Sequence, residues 1–383
     1  MFANERVRQR LPIDDLIEEA QRVLTICNAC RYCEGYCAVF PALERRLAFD
    51  ESDVHYLANL CHNCGACLYA CQYAPPHPFH LNFPRVLAQV RKQTYGRYAW
   101  PRAFASAFDR NGVIVAVVTV LSVALLFAFT AWSADADRFF AAHQDAQGAF
   151  YALIPHGVMV SVFGAVFAFV VLALGVSSWR FWRETGASAD SLRDATALGG
   201  ATYDAASLKY LDGGGDGCTW PDEVPSVARR NFHHLTFYGF LACLAATIVA
   251  TVYHYGFGWK APYPLVSVPV ILGTLGGAGL VAGPLGLLWL RARRDPELGD
   301  PRQAGMDAGL LVLLLVTSVS GLLLMSFRET RAMGTLLALH LGAVMALFLT
   351  MPYGKFVHAL YRFAALIRFH IERRRPPTHA VAE

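Results

Sequence analysis

The sequence predicts an all-α protein in two parts: a small cysteine-rich helical domain, then a six-helix transmembrane bundle. Three observations predict it. Eight of the ten cysteines fall in two copies of the spacing C-x2-C-x2-C-x3-C, the run that holds two [4Fe–4S] clusters in ferredoxins. Only 16% of the 383 residues are charged and 55% are hydrophobic, against about 25% charged in ordinary soluble domains. The apolar excess is also one-sided. Residues 1–100 hold all eight motif cysteines and many charges, whereas beyond Asn111 six stretches approach or exceed the length that spans a bilayer as helix, about 20 residues.

The first run is Cys27, Cys30, Cys33 and Cys37, and the second is Cys61, Cys64, Cys67 and Cys71. Two residues between thiols form one tight turn, so three cysteines of a run wrap three corners of a cubane. The fourth reaches across to the other cluster in two-cluster ferredoxins. The expected sets are therefore Cys27, Cys30, Cys33 and Cys71, and Cys61, Cys64, Cys67 and Cys37. Structural zinc favours pairs of C-x2-C hooks instead, and disulfides between cysteines this close, with no signal peptide ahead of them, are disfavoured. Pro41 and Pro75 stand four residues past each run, unlike the C-P ending of small ferredoxins. The 23-residue spacer from Ala38 to Leu60 is helix-like, with Asp50 or Ser52 as N-cap ahead of Val54, Tyr56, Leu57 and Leu60. A helical ferredoxin domain over residues 1–100 is the expectation.

The expected membrane domain covers 101–371, with a cytoplasmic tail at 372–383. Its spans are Gly112–Trp132, Ala152–Trp179, Leu235–Phe257, Leu265–Leu290, Ala308–Phe327 and Thr335–Tyr353. Pro269, Pro284 and six glycines between 273 and 286 mark the fourth; membrane helices tolerate such residues where neighbours pack closely. Arg180 and Arg183 follow the second span, Arg291, Arg293 and Arg294 the fourth, and Arg368, Arg373, Arg374 and Arg375 the sixth. The positive-inside rule then places both termini in the cytoplasm, in a bacterial inner membrane. The formal charge of +4 reads as a topology signal, and a nucleic-acid partner is not expected.

Carriers inside a bundle are usually haems held by histidines of facing helices. The candidates are His156, His233, His234, His254, His340 and His358. At about 100° per residue, positions 340 and 358 share a face of one sixth helix, and His233 is a better same-face partner of His254 than His234 is. Antiparallel third and sixth helices put His233 with His358 on the cytoplasmic side and His254 with His340 on the outer side, with His156 able to replace an outer ligand. One or two b-type haems fit. The opposing reading, interfacial histidines without metal, applies to each taken alone; ionisable residues inside a bundle are functional by default.

Residues 184–232 form a long polar insertion with Gly213, Gly214, Gly215 and Cys218 at its centre. Loops of that length are functional or disordered. Successive glycines allow a backbone to approach a partner or cofactor, against the alternative of a flexible linker.

These residues together resemble the tricarballylate-utilisation protein B family, also known as citrate-utilisation protein B. The matching stretches are Cys27-Asn28-Ala29-Cys30-Arg31-Tyr32-Cys33, Leu60-Cys61-His62-Asn63-Cys64-Gly65-Ala66-Cys67 and Cys71-Gln72-Tyr73-Ala74-Pro75-Pro76-His77. The glycine loop ending in Cys218 and the helix start His233-His234-Leu235-Thr236-Phe237-Tyr238-Gly239 also match. The resemblance covers nearly the whole chain. It implies a membrane protein with two [4Fe–4S] clusters and b-type haem that reoxidises the reduced FAD of a partner dehydrogenase, tricarballylate dehydrogenase-like, and passes electrons to quinone. No Ser-His-Asp, paired-carboxylate or nucleotide motif in the sequence points to substrate chemistry of its own. Lipid and quinone are the membrane partners, and self-association is allowed. Two rival readings are a heterodisulfide-reductase-like subunit, for which Cys218 would be the thiol, and a redox-sensing membrane protein.

Overall fold

The computed structural model describes residues 13–143, 148–186 and 192–376. The N-terminal domain is built from α1 (Ile13–Cys30), α2 (Val39–Leu43), α3 (Glu51–Leu60), α4 (Ala66–Tyr69) and α5 (Phe83–Tyr98). Helix α3 begins at a cap legible in the sequence. Extended Asp50 accepts a hydrogen bond from the Asp53 amide at 2.8 Å, a contact worth about 1 kcal/mol. Ser52 instead donates to the Asp50 carboxylate at 2.7 Å. The spacer is two helices, not one. Arg46 ends the first by donating to the Ala42 carbonyl at 2.6 Å and turns its other nitrogens toward Asp53 and Glu372. Asn82 caps α5 by accepting from the Arg85 amide at 3.1 Å.

The second part begins with α6 (Asn111–Ser133), short α7 (Ala136–Phe139) and α8 (Ala149–Leu153), and α9 (His156–Glu184). After α10 (Ala195–Ala206) a minimal hairpin pairs β1 (Cys218–Thr219) with β2 (Pro225–Ser226). The chain continues through α11 (Ala228–Phe257), α12 (Val268–Ala292), α13 (Ala304–Phe327), α14 (Met333–Thr350) and α15 (Val357–Glu372). Among the described residues six helical segments are long and apolar enough to cross a membrane. The protein is thus an all-α, multi-pass membrane protein with an appended N-terminal domain.

Helix α11 packs along α12, α12 on α13, α13 on α14, and α14 on α6 and α9. Glycines set the first of these contacts. A Cβ on Gly239 would lie 2.9 Å from the Gly276 carbonyl oxygen, and one on Gly279 would lie 2.9 Å from that of Leu235.

Three expectations are corrected. His340 and His358 do not share a helix: the sixth span closes in a 3-10 turn at Met351–Tyr353, and extended Gly354 separates it from α15. Pro352 contributes, having no amide hydrogen to continue the ladder. Helix α11 starts at Ala228, five residues ahead of the expected His233-His234 start. Finally, Glu372 belongs to α15 and not to a tail. Its carboxylate pairs with Arg46 at 2.6 Å and Arg368 at 2.8 Å, while Arg46 and Arg368 share Asp53 at 2.6 and 3.1 Å.

Candidate cluster and histidine site

Cys27 and Cys30 close α1, and the chain reverses at Arg31, which has φ 55°. Turns then carry Cys33 and Cys37, with the Tyr36 amide donating to the Cys33 carbonyl at 3.0 Å. The second run leaves α3 at Cys61 and turns at Asn63 and Gly65 into α4, which holds Cys67. Folding brings the thiols of the two runs together. Cys27 interacts electrostatically with Cys71, Cys33 and Cys30, and these four line one cavity together with Cys67, Phe40, Tyr73 and Phe83. Cys37 interacts with Cys64 and Cys61, Cys67 with Cys64, Cys61, Cys37 and Cys33, and Cys33 with Cys64 besides Cys71 and Cys30.

Burial first, then the neighbouring thiols, pushes Cys33 up to about 12 and raises Cys27, Cys37 and Cys67 above the ordinary thiol range. Four thiolates crowded in this way need a compensating positive core, and bound iron reverses the local proton preference. Among the described residues no three His, Cys, Asp or Glu converge on one ion.

The glycine-rich insertion is a strap over the second thiol set. Gly213, Gly214 and Gly215 have φ of 57, 95 and 124°. Gly214 rests on Tyr36 and Gly35, where a Cβ would stand 3.1 and 3.3 Å from their nearest atoms. From the other side Gly65, at φ 90°, approaches so closely that a Cβ would lie 2.6 Å from the Thr219 carbonyl oxygen. The Thr219 hydroxyl donates to the Cys64 carbonyl at 3.4 Å. Cys218 is fully buried, donates to the Leu211 carbonyl at 3.1 Å and touches the Cys64 thiol.

Three arginines surround the Cys61–Asn63 turn, and the sequence reading missed them. Arg91 donates to the Cys61 carbonyl at 2.5 Å and the Ala58 carbonyl at 3.0 Å; Arg362 donates to Cys61 at 2.9 Å. Arg229 donates to the Asn63 and His62 carbonyls at 2.6 and 3.1 Å, and stacks over Trp220 at 4.7 Å. Burial, followed by Arg91 nearby, lowers Arg362 to about 10. Arg229 and Arg362 also lie within electrostatic range of His233, and Arg362 of His358. No spacing signals this: Arg362 stands 301 residues from Cys61.

At the same end of the bundle His233 of α11 faces His358 of α15, with ring centroids 6.3 Å apart and planes at 75°. A metal held about 2 Å from one nitrogen of each imidazole leaves the centroids roughly 6 Å apart. His358 Nδ1 lies 2.5 Å from the Lys355 carbonyl, the partner that fixes a ligating histidine with its other nitrogen free. His233 Nδ1 is buried without a hydrogen-bond partner. Of the residues of α11 only Gly239 is buried as a whole. The pair fits a bis-histidine haem.

The opposite end does not fit as arranged. His254 meets His156, not His340; the two rings stack at 3.9 Å and 15°, too close to hold a metal between them. His340 lies instead against α13, its Nδ1 3.2 Å from the Ser320 hydroxyl and 3.1 Å from the Thr317 carbonyl. His234 turns from His358 toward Tyr238, at 5.8 Å.

The citrate utilization protein B family model matches residues 110–379, and the Fer4-like domain model of the same family matches residues 20–97. The chain belongs to the citrate utilization protein B family. It is 52% identical over 365 residues to citrate utilization protein B of Escherichia coli, covering 95% of this chain and 94% of that one. No solved structure matches. The Fer4-like match spans both thiol sets, and the second match spans the membrane helices with α15.

Proposed function

We propose that this chain carries electrons from the reduced FAD of a separate dehydrogenase, acting on a tricarballylate-like substrate, to membrane quinone. Bound to Cys27, Cys30, Cys33 and Cys71, to Cys61, Cys64, Cys67 and Cys37, and to His233 with His358, two [4Fe–4S] clusters and one b-type haem supply one-electron chemistry between a two-electron donor and a two-electron acceptor.

The protein's residues hold this order. The first thiol set lines a cavity whose lining includes exposed Tyr32, which leaves this set open to a soluble partner. The strap from Gly213 to Thr219 covers Cys64, which is buried. Arg91, Arg229 and Arg362 place positive charge around the Cys61–Asn63 turn and tie it to the His233–His358 end. The excess of arginine at this end supports a cytoplasmic orientation in a bacterial inner membrane. The single observation that carries the reading is this continuity: eight thiols gathered from both runs, with Arg362 bonded to the Cys61 carbonyl and within electrostatic range of His358. Cys218, being buried against Cys64, offers no accessible thiol for a disulfide reductase.

The test is iron and haem analysis of the purified full-length protein, followed by reduction with a reduced flavoprotein and addition of a quinone. Eight cluster irons and one haem per chain, with quinol formed, are expected. Cluster iron without any quinol would sink the electron-carrier reading.

A further inference from the structure

Beside the histidine pair the membrane surface holds a cleft to which the electron path above assigns no residue. It measures about 530 Å³ and lies between α11 and α12. On α11 its lining, Asn231, His234, Leu235, Tyr238, Gly239 and Ala242, follows the three- and four-residue steps of one helix face. Opposite stand Leu275, Gly276 and Gly279. The cleft exists because glycines bring the two backbones together without filling the space beside them.

We infer that this cleft is the quinone-binding site, with the ring at Asn231 and His234 and the isoprenoid tail along Leu235, Leu275 and the glycines. The inference rests on the electron-carrier reading above. Three observations carry it. The lining is graded: Asn231 and His234 lie toward the start of α11, the Tyr238 hydroxyl one turn on is taken up by the Ala206 carbonyl at 2.8 Å, and the remainder is apolar and open to lipid, with Leu235 42% and Leu275 66% exposed. That is the polarity of an amphiphile lying in the bilayer, and the size is that of a small-molecule site. The lining contains no lysine or arginine, and nearby Arg230 is engaged by Asp212 at 3.0 Å. A neutral carbonyl headgroup therefore suits it better than a phosphate. Lastly, His234 follows His233 directly, about 3.8 Å away along the backbone, so one helical turn presents one ring to His358 and the next to the cleft.

In the reaction two electrons from the partner's reduced flavin, delivered one at a time, and two protons from water at this surface convert both quinone carbonyls to hydroxyls. His234 is placed to hydrogen-bond one carbonyl oxygen.

The test uses the full chain in phosphatidylcholine nanodiscs with a photoreactive azido-quinone, mapped by mass spectrometry. Labelling between 231 and 242 and between 275 and 279 is expected, abolished by excess decyl-ubiquinone and not by phosphatidylglycerol. Ala242→Phe, which fills the cleft from a partly exposed position, and His234→Ala should each reduce labelling by about tenfold, the equivalent of 1.4 kcal/mol, with the haem spectrum unchanged. Labels on other helices, wild-type labelling of Ala242→Phe, or equal displacement by phosphatidylglycerol would overturn the assignment, the last making the cleft a lipid site. Labelling needs no electron transfer, so a chain labelled here that never oxidises a flavoprotein removes the electron-carrier reading alone. A chain that reduces quinone but is labelled elsewhere removes the cleft alone.

Discussion

Arg362 offers a direct measure of how charge sets the electron path. Its guanidinium is buried, donates to the Cys61 carbonyl and faces His358. A unit charge at about 8 Å in an effective dielectric of about 20 is worth about 2 kcal/mol, on the order of 90 mV for a one-electron couple. Arg362→Gln is therefore expected to lower the midpoint potential of the cluster on the Cys61 set by tens of millivolts, read by EPR-monitored redox titration. An unmoved potential would remove Arg362 from the electrostatics of the site. Cys218 is the opposite case, a thiol that touches Cys64 while its own proton goes to the Leu211 carbonyl. Cys218→Ser should keep full cluster iron, whereas Cys64→Ser should lose iron from one cluster. Equal losses would make Cys218 a ligand. The eight cysteines were legible because cluster geometry fixes local spacing. Arg91, Arg229 and Arg362 were not, since only tertiary folding brings them to one turn.

Between helices α3 and α5 the contact to watch is His55. It is 2% exposed, and its Nδ1 lies 2.7 Å from the Tyr98 hydroxyl. Burial first, then Arg97, lowers it to about 4, while Asp50 opposes the shift. The unfolded chain binds a proton near pH 6.5, and the folded chain does so only near 4. The folded state thus loses stability as pH falls from 6.5 toward 4, by about 1.4 kcal/mol at pH 5.5. Thermal loss of cluster absorbance should occur a few degrees lower at pH 5.5 than at 7.5, and His55→Gln should narrow that gap; a gap of unchanged width would rule out His55 as its source. At this scale the sequence told helices well and their interruptions poorly. The Asp50 cap was visible because capping is local. The break between His340 and His358 was not, because equal 100° phases at 18-residue separation look the same whether or not Pro352 and Gly354 intervene. The outer pairing failed with it, since His254 met the nearer His156 at the start of α9.

On the scale of the whole molecule, the boundary near residue 100 divides composition but not the core. Leu57, Leu60, Tyr95 and Tyr98 of the N-terminal part share one buried cluster with Phe181 and Trp182 of α9 and with Tyr361, Leu366, Ile367 and Phe369 of α15. Tyr361 stacks on Phe181 at 4.9 Å and meets Tyr95 and Tyr98 at 6.0 Å. The Arg46–Asp53–Arg368–Glu372 network crosses the same boundary, largely out of water. Removing one side of such a network leaves buried charge unpaired, at about 3–5 kcal/mol, and each lost large side chain adds about 2–5 kcal/mol. Those sums match the entire stability of an ordinary domain, about 5–15 kcal/mol. A fragment of residues 1–108 should therefore fail to retain its clusters, although it contains every expected cysteine ligand. The measurement is cluster iron after anaerobic reconstitution, compared with the full chain in nanodiscs and with a chain ending at Gly354. The fragment and the shortened chain should both fall well below the full protein, because both lack α15. A soluble fragment holding eight irons would overturn this dependence, and would make the N-terminal domain an independent ferredoxin tethered to the membrane.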